Sequence, residues 1–457
     1  AHEGSRNGDP LTAMAKAHTR FVCDSCGTHR QQWSGQCSAC GEWNSIVEHP
    51  TPSTAANVSD VVAVPLAEIE DDASSRRSTG MAEFDRVLGG GLVAGALVLI
   101  GGDPGIGKST LVLHAAASLG TRSSPVLYVA AEESPQQVRM RANRIGVHAS
   151  HIRIYPDTEI GGVLAEAQRI NAGLIVVDSI QTVRAGGVTA APGSVSQVRE
   201  ATLQIMQFAK SSQTPVVLVG HVTKEGTVAG PRTLEHIVDT VLYLEGDDFH
   251  SQRLLRSVKN RFGPTFEVAV FEMRGDGLQE VANPSALFLA ERDARAPGSS
   301  VAVPLEGTRP LVVEIQALVA PTVYALPKRL ASGFDLNRLH MILAVLGRRA
   351  GVRLGNHDVY VNVVGGLRLR EPAVDLAVAI AIASSERDVP TGPQVAAVGE
   401  IGLSGELRSV PSTSQRVHEA QRLGFERCLV PRSRTPSSGS GGLSADSLEH
   451  ALKLALS

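Results

Sequence analysis

The sequence predicts an α/β protein: a largely parallel, doubly wound nucleotide-binding domain, a small four-cysteine metal module ahead of it, and a further strand-and-helix domain behind it. Three observations carry that expectation. From about residue 65 to 285, short apolar runs rich in β-branched residues ("ALVLIGG", "SPVLYVAAEE", "GLIVVDS", "PVVLVGHV") alternate with longer helical spacers, the pattern of strands buried on both faces of a sheet. The first of these runs leads directly into a glycine-rich phosphate-loop pattern. Four of the five cysteines fall within residues 23–40, which is metal-site usage and not a disulfide framework.

The chain has 457 residues, enough for two or three cores, and a formal net charge of -3. No global basic field marks it for nucleic acid, so such contact has to come from a local surface or from a ring of subunits. Residues 1–20 read as disordered, or as an artificial extension ahead of a native start near Met14. No secretory leader and no run of about 18 apolar residues is present, and a cytoplasmic protein without membrane contact is expected.

"CDSC" and "CSAC" set Cys23, Cys26, Cys37 and Cys40 in two CxxC knuckles ten residues apart. Two knuckles close a tetrahedral site with no open position, which predicts structural zinc over residues 21–46, with an iron centre or free thiols as alternatives. Trp33 and Trp43, the two tryptophans, are expected to form the module's small core, the alternative being a stacking platform for nucleic acid. Cys428 reads as a buried strand residue. Pro, Ser and Thr mark residues 47–64 as a linker.

In residues 65–290, "GDPGIGKST" spans Gly102, Asp103, Pro104, Gly105, Ile106, Gly107, Lys108, Ser109 and Thr110, between a strand and a helix. Glycines let backbone N–H groups approach phosphates, Lys108 reaches the β and γ oxygens of ATP, and Ser109 offers a ligand to Mg²⁺. Asp178 ends the "GLIVVDS" strand, where it can hold the ion or a water bound to it. Glu132 and Glu133 end another strand, and one of them is placed to polarise the attacking water; adjacent side chains diverge, so only one is expected to act. The last runs of this region follow one another closely and predict an antiparallel edge. "ERDARAPGSS", 291–300, reads as a second linker, and residues 301–457 as the third domain.

Taken in order, the CxxC pairs, "GGDPGIGKST", "YVAAEES", "VVDSIQT" and "KNRFG" resemble the bacterial RadA (Sms) family of DNA repair and recombination proteins, over essentially the whole chain past residue 20. The resemblance implies a RecA-like P-loop NTPase core in a hexameric ring of the DnaB-helicase kind. It also implies an ATP-dependent DNA-binding motor with helicase or branch-migration activity on recombination intermediates, single-stranded and branched DNA as ligands, and a RecA-type recombinase as partner. By the same resemblance Glu132 matches the catalytic carboxylate, His221 a polar sensor of the γ-phosphate, and Lys224 a DNA-facing loop. Residues 301–457 are similar to the peptidase domain of Lon, an α+β domain, but Ala373 falls where Lon has its serine and Ser414 where it has its lysine. A scaffold is therefore expected, and an ATP-dependent protease is the disfavoured alternative. A third reading is a switch in which ATP controls assembly alone.

"KNRFG", Lys259 to Gly263, lies between two apolar runs in a chain with 36 Arg and only 7 Lys. The pattern predicts a tight turn on an exposed sheet edge. By itself that is a polar hairpin tip; in a ring, Lys259 or Arg261 on such a tip reaches the nucleotide of the next subunit.

Overall fold

The computed structural model describes residues 19–30, 32–50, 64–68, 76–221, 234–246, 251–265, 267–432 and 442–456. The first strands, β1 (Thr19–Cys23), β2 (His29–Arg30) and β3 (Ile46–Pro50), form a three-stranded antiparallel ribbon ordered β2-β1-β3. Residues 47–50, which the sequence assigns to a linker, thus pair with β1.

The middle sheet has nine strands. They are β4 (Leu97–Gly102), β5 (Val126–Ala130), β6 (Ile152–Tyr155), β7 (Leu174–Asp178), β8 (Val216–Val219), β9 (Thr240–Glu245), β10 (Gln252–Asn260), β11 (Val268–Arg274) and β12 (Gly277–Glu280). Their order is β12-β11-β10-β9-β4-β8-β7-β5-β6. From β6 to β9 all pairs are parallel, and β10 to β12 extend the sheet as an antiparallel meander. Helices α1 (Ala82–Leu88), α2 (Lys108–Leu119), α3 (Pro135–Arg144), α4 (Ile160–Arg169) and α5 (Val195–Ser212) accompany it, and separate apolar clusters line its two faces. Both faces being covered, the residues of β4, β5 and β7 are buried without alternation. Local signals agree with this arrangement. Ser134 and Gln137 form a capping box ahead of Pro135 at the start of α3, a cap worth about 1 kcal/mol.

The "KNRFG" segment departs from expectation. Lys259 and Asn260 are the last residues of β10, an interior strand flanked by β9 and β11, while Arg261, Phe262 and Gly263 open the connection to β11, so the strand-to-strand turn is present for those three residues but not on a sheet edge. The periodicity misleads because Asn260 is a buried polar residue inside the ladder.

The C-terminal region holds a second, mixed sheet. Its strands are β13 (Ser299–Ala302), β16 (Val313–Pro321), β17 (Arg329–Ser332), β18 (His357–Val363), β19 (Val395–Ala397), β22 (Arg427–Pro431) and β23 (Leu443–Ala445). They run in the order β17-β18-β16-β13-β19-β22-β23. Two hairpins stand apart, β14 (Leu305–Glu306) with β15 (Arg309–Pro310), and β20 (Glu400–Ile401) with β21 (Leu407–Arg408). Ser299 and Ser300, which the sequence assigns to a linker, are buried in β13 and bond Glu314 and Ala377 O. The helix Asp375–Arg387 is buried through residues 375–384, as its run of Ala, Val and Ile on all sides requires. Asp375 at its start is held by the Arg338 guanidinium and by the Ile401 N–H (3.2 Å). Burial still pushes this carboxyl above its usual range, against the pull of Arg338. Cys428 lies fully buried in β22, and burial pushes its thiol up to about 12.

No helix among the described residues is long and apolar enough to cross a membrane.

Candidate functional site

In the N-terminal ribbon the tight turns after β1 and within residues 37–41 bring all four cysteine sulfurs within 4.8 Å of one another. Cys23 Sγ lies 3.6 Å from Cys40 Sγ and Cys26 Sγ 3.7 Å from Cys37 Sγ. Four thiolates about 2.3 Å from a central zinc stand about 3.8 Å apart, so the cage fits that ion. The hydrogen bond with Ser45 Oγ (3.2 Å) lowers Cys23 to about 6, whereas Cys40, 3.6 Å away, is pushed up to about 12, so the clustered sulfurs divide their protons between them. Apparent zinc binding of about 10–16 kcal/mol is large against what so small a core contributes. That core consists of Cys23, Cys37 and Ile46 with Phe21 packed on them. Trp33 and Trp43 do not belong to it: they are 61% and 68% exposed. Their rings flank Gly35 and leave the metal cage to supply the module's cohesion.

The nucleotide site forms where β4, β5, β7 and β8 end. Gly107 precedes α2 at φ +113°, a backbone conformation that other residues rarely adopt and that favours glycine. The turn aims Lys108 under the loop. Its buried ammonium donates to Gly102 O (2.8 Å) and Asp103 O (2.9 Å) and approaches His221 Nδ1 at 3.2 Å. Burial lowers the Lys108 pKa, while Asp178, Glu132 and Asp103 oppose that fall.

His221 follows β8 and joins two of the predicted residues. Nδ1 accepts from the Lys108 ammonium, so the ring proton belongs on Nε2, 3.3 Å from Glu132 Oε2. The other Glu132 oxygen accepts from the Ser179 hydroxyl. The His221 bond first, and then that of Ser179, holds Glu132 below the usual carboxylate range. Glu133 turns away and pairs with Arg141 of α3. Asp178 accepts from Tyr128 OH (2.6 Å), with Arg141 Nη1 3.8 Å away.

Lys108, Glu132, Asp178 and His221 therefore converge. Ser179, Tyr128 and Arg141 complete the cluster and were not among the residues singled out from the sequence. Ser179 lies inside the quoted "VVDSIQT"; Tyr128 and Arg141 carry no motif. Lys224 lies outside the described residues.

Lys259 and Arg261 stand elsewhere. Asn260 pairs with Thr240 of β9, and Thr240 is level with Val98 of β4, four residues before Gly102. "KNRFG" thus sits at the opposite end of the sheet from its own phosphate loop, about 13 Å along the strand. Lys259 Nζ is engaged by Glu235 O (2.5 Å) and Val238 O (2.9 Å). Desolvation first, then Arg261, lowers its pKa. Among the described residues the exposed Arg261 side chain makes no hydrogen bond or ion pair.

In the C-terminal domain Ala373, in the short turn Pro372–Val374, is buried and Ser414, in the helix Thr413–Arg422, exposed. Beside them Arg416, 1% exposed, clasps Glu371 through both nitrogens (2.6 and 2.7 Å). Lys328 stacks on the Tyr324 ring at 3.7 Å.

The fold and site define a P-loop nucleoside triphosphatase with a RecA-like core, carrying a zinc ribbon in front and a Lon-like domain behind. Family models agree in three places: an AAA domain over residues 65–227, a rubredoxin metal binding domain over 21–48, and the ChlI subunit of Mg-chelatase over 332–434. Across its length the chain is 50% identical to the DNA repair protein RadA of Bacillus subtilis (strain 168), covering 92% of this chain and 93% of that protein. It is 46% identical to the DNA repair protein RadA of Synechocystis sp., covering 94% and 92%. The chain belongs to the RadA family of DNA repair proteins. Among solved structures, the RadB recombinase is similar over 45% of this chain and 99% of its own, at 24% identity with a TM-score of 0.37.

Proposed function

We propose that the chain is an ATP-driven DNA motor that processes recombination intermediates in DNA repair, working as a homo-oligomeric, hexameric ring. ATP with Mg²⁺ supplies the phosphoryl group and its charge compensation. Backbone N–H groups of residues 102–110 cradle the phosphates, Lys108 neutralises them, and Ser109 and Asp178 hold the ion. Glu132, kept ionised by His221 and Ser179, orients the attacking water and takes its proton. His221, bonded to both Lys108 and Glu132, senses the γ-phosphate and passes its presence toward Lys224, three residues on in the chain.

The observation that carries the reading is Arg261, exposed at the sheet end away from its own phosphate loop and without a side-chain partner among the described residues. In a ring, that end of one subunit faces the nucleotide of the next, and an arginine acting in trans is worth on the order of 10³–10⁵ in rate. Lys259, already bonded to two carbonyls, holds the strand end and leaves the phosphate to Arg261. DNA is bound through phosphates, so binding falls steeply with salt and ignores sequence. A RecA-type recombinase is the partner the family implies. Proteolysis is not proposed, because no serine and lysine face one another at Ala373 and Ser414.

The test is unwinding of forked DNA in both polarities beside a DNA-free ATPase control. Forks left intact during ATP turnover would favour the assembly-switch reading. Arg261→Ala mixed with Lys108→Ala should recover ATPase that neither variant has alone; no recovery at any ratio would count against trans action.

A further inference from the structure

The connection that carries Arg261 is clamped at both ends by one short helix. At its start Asn260 Nδ2 donates to Leu88 O (3.1 Å) and Val87 O (3.4 Å), while its Oδ1 accepts from the Phe262 N–H (2.9 Å). Gly263 meets Gly89 so closely that a Cβ on it would lie 2.8 Å from the Gly89 Cα. Past the far end of the connection stands Glu267, 2% exposed. Its Oε2 accepts from Arg86 Nη1 (2.5 Å). Arg86, Val87 and Leu88 are consecutive in α1.

The second oxygen of Glu267 faces the C-terminal domain. Oε1 accepts from the Thr308 N–H (3.1 Å) and from the Thr308 hydroxyl, at the tip of hairpin β14–β15. The same hairpin meets the core through Glu306 to Arg256 (2.5 Å) and through Arg309 to both oxygens of Glu83 in α1 (3.0 and 2.8 Å). Its other side is anchored by the Leu305 N–H on Glu371, the carboxylate clasped by Arg416. A buried carboxylate shared between a guanidinium and a hydroxyl of another domain accepts few geometries, because each directional bond is costly to leave unmade there.

We propose that Glu267 is a positioning residue that couples the Arg261 connection to the C-terminal domain, through Thr308 and hairpin β14–β15 to Glu371. The coupling rests on the reading of Arg261 as a cation acting in trans. Engagement of the neighbour's nucleotide shifts the connection, and Glu267 carries that shift to the hairpin, so that the state of one ATP site is felt in the C-terminal layer of the ring.

Hydrogen exchange on the full chain, with and without a non-hydrolysable ATP analogue and Mg²⁺, tests this. In the wild type the analogue should slow exchange of the amides of residues 305–309 by about threefold or more. Glu267→Gln should lose that response and Thr308→Val, which removes the hydroxyl bond but keeps the N–H bond, should at least halve it, while amides 102–110 keep the protection that nucleotide binding confers. Thr308→Val leaves the Arg86–Glu267 pair whole, so it decides the matter if Glu267→Gln misfolds. A folded Thr308→Val with the full hairpin response, or a wild type with none, overturns the coupling. The trans reading is judged separately by phosphate release: undiminished hydrolysis in Arg261→Ala removes Arg261 as the input even where the hairpin responds. Slowed hydrolysis there, with the response halved or less in Thr308→Val, supports both.

Discussion

The two large domains bury charge to opposite effect. At the strand ends of the core, Lys108, His221, Glu132 and Ser179 are linked by single hydrogen bonds around a partly open cleft; the Glu132 and His221 side chains remain 36% and 28% exposed. At the peptidase-like position of the C-terminal domain, Glu371 ahead of a short turn and Arg416 in the helix Thr413–Arg422 close on one another through two bonds, and Arg416 is sealed from solvent. Groups strung singly around a cleft keep capacity to meet a phosphate, an ion or a water. A bidentate buried pair has used that capacity in holding the fold together. The comparison separates charged groups left open to a ligand at strand ends from a charged pair closed on itself between a turn and a helix.

The contrast can be broken by exchanging the behaviour of the two clusters. Glu132→Gln should slow ATP hydrolysis by about a hundredfold or more while nucleotide still binds, measured by phosphate release and fluorescent-nucleotide titration. Near-normal turnover would move the base elsewhere. Glu371→Gln should leave that chemistry intact and instead cost about 3 kcal/mol of stability, because Arg416 keeps its charge without a matching carboxylate; denaturant melts report it. Lys259→Met should cost about 1.5 kcal/mol by freeing the carbonyls of Glu235 and Val238, with far less loss of hydrolysis than Arg261→Ala. The acid dependence sharpens the same point. Glu132 has a lowered pKa, so its ionised form persists as pH falls below the usual glutamate range. In His221→Ala its titration, followed by carboxyl NMR, should move back up toward that range. At the smallest end, Ala373→Ser with Ser414→Lys should yield no casein cleavage, because the first position is buried and the second exposed.

Much of this was legible in the chain because it is written locally. The CxxC knuckles, the glycines before Lys108, and carboxylates directly after apolar strands each arise from residues a few places apart, where backbone geometry leaves few choices. The tryptophans were misread on composition: aromatic rings beside a metal knuckle look like core, but a cage of four sulfurs needs little else, and both rings stay in solvent. Lys259 and Asn260 were misplaced because a buried Asn within a strand breaks the apolar pattern by which strand interiors are recognised. Its partners, Val87 and Leu88, lie more than 170 residues away.

By itself the sequence determined the chemistry on offer: four thiolates for one metal, a loop that admits phosphates, acidic residues at strand ends, and a peptidase-like domain without its serine and lysine. Only the tertiary structure decided how those groups are spent. It set Glu132 on His221 and Glu133 on Arg141, occupied Lys259 while leaving Arg261 unpaired among the described residues, and divided the two oxygens of Glu267 between α1 and Thr308. The reason is range. Motifs specify which atoms can donate or accept, whereas the partner each one meets is fixed by strand order and by packing between segments far apart in the chain, where burial makes an unmet hydrogen bond costly.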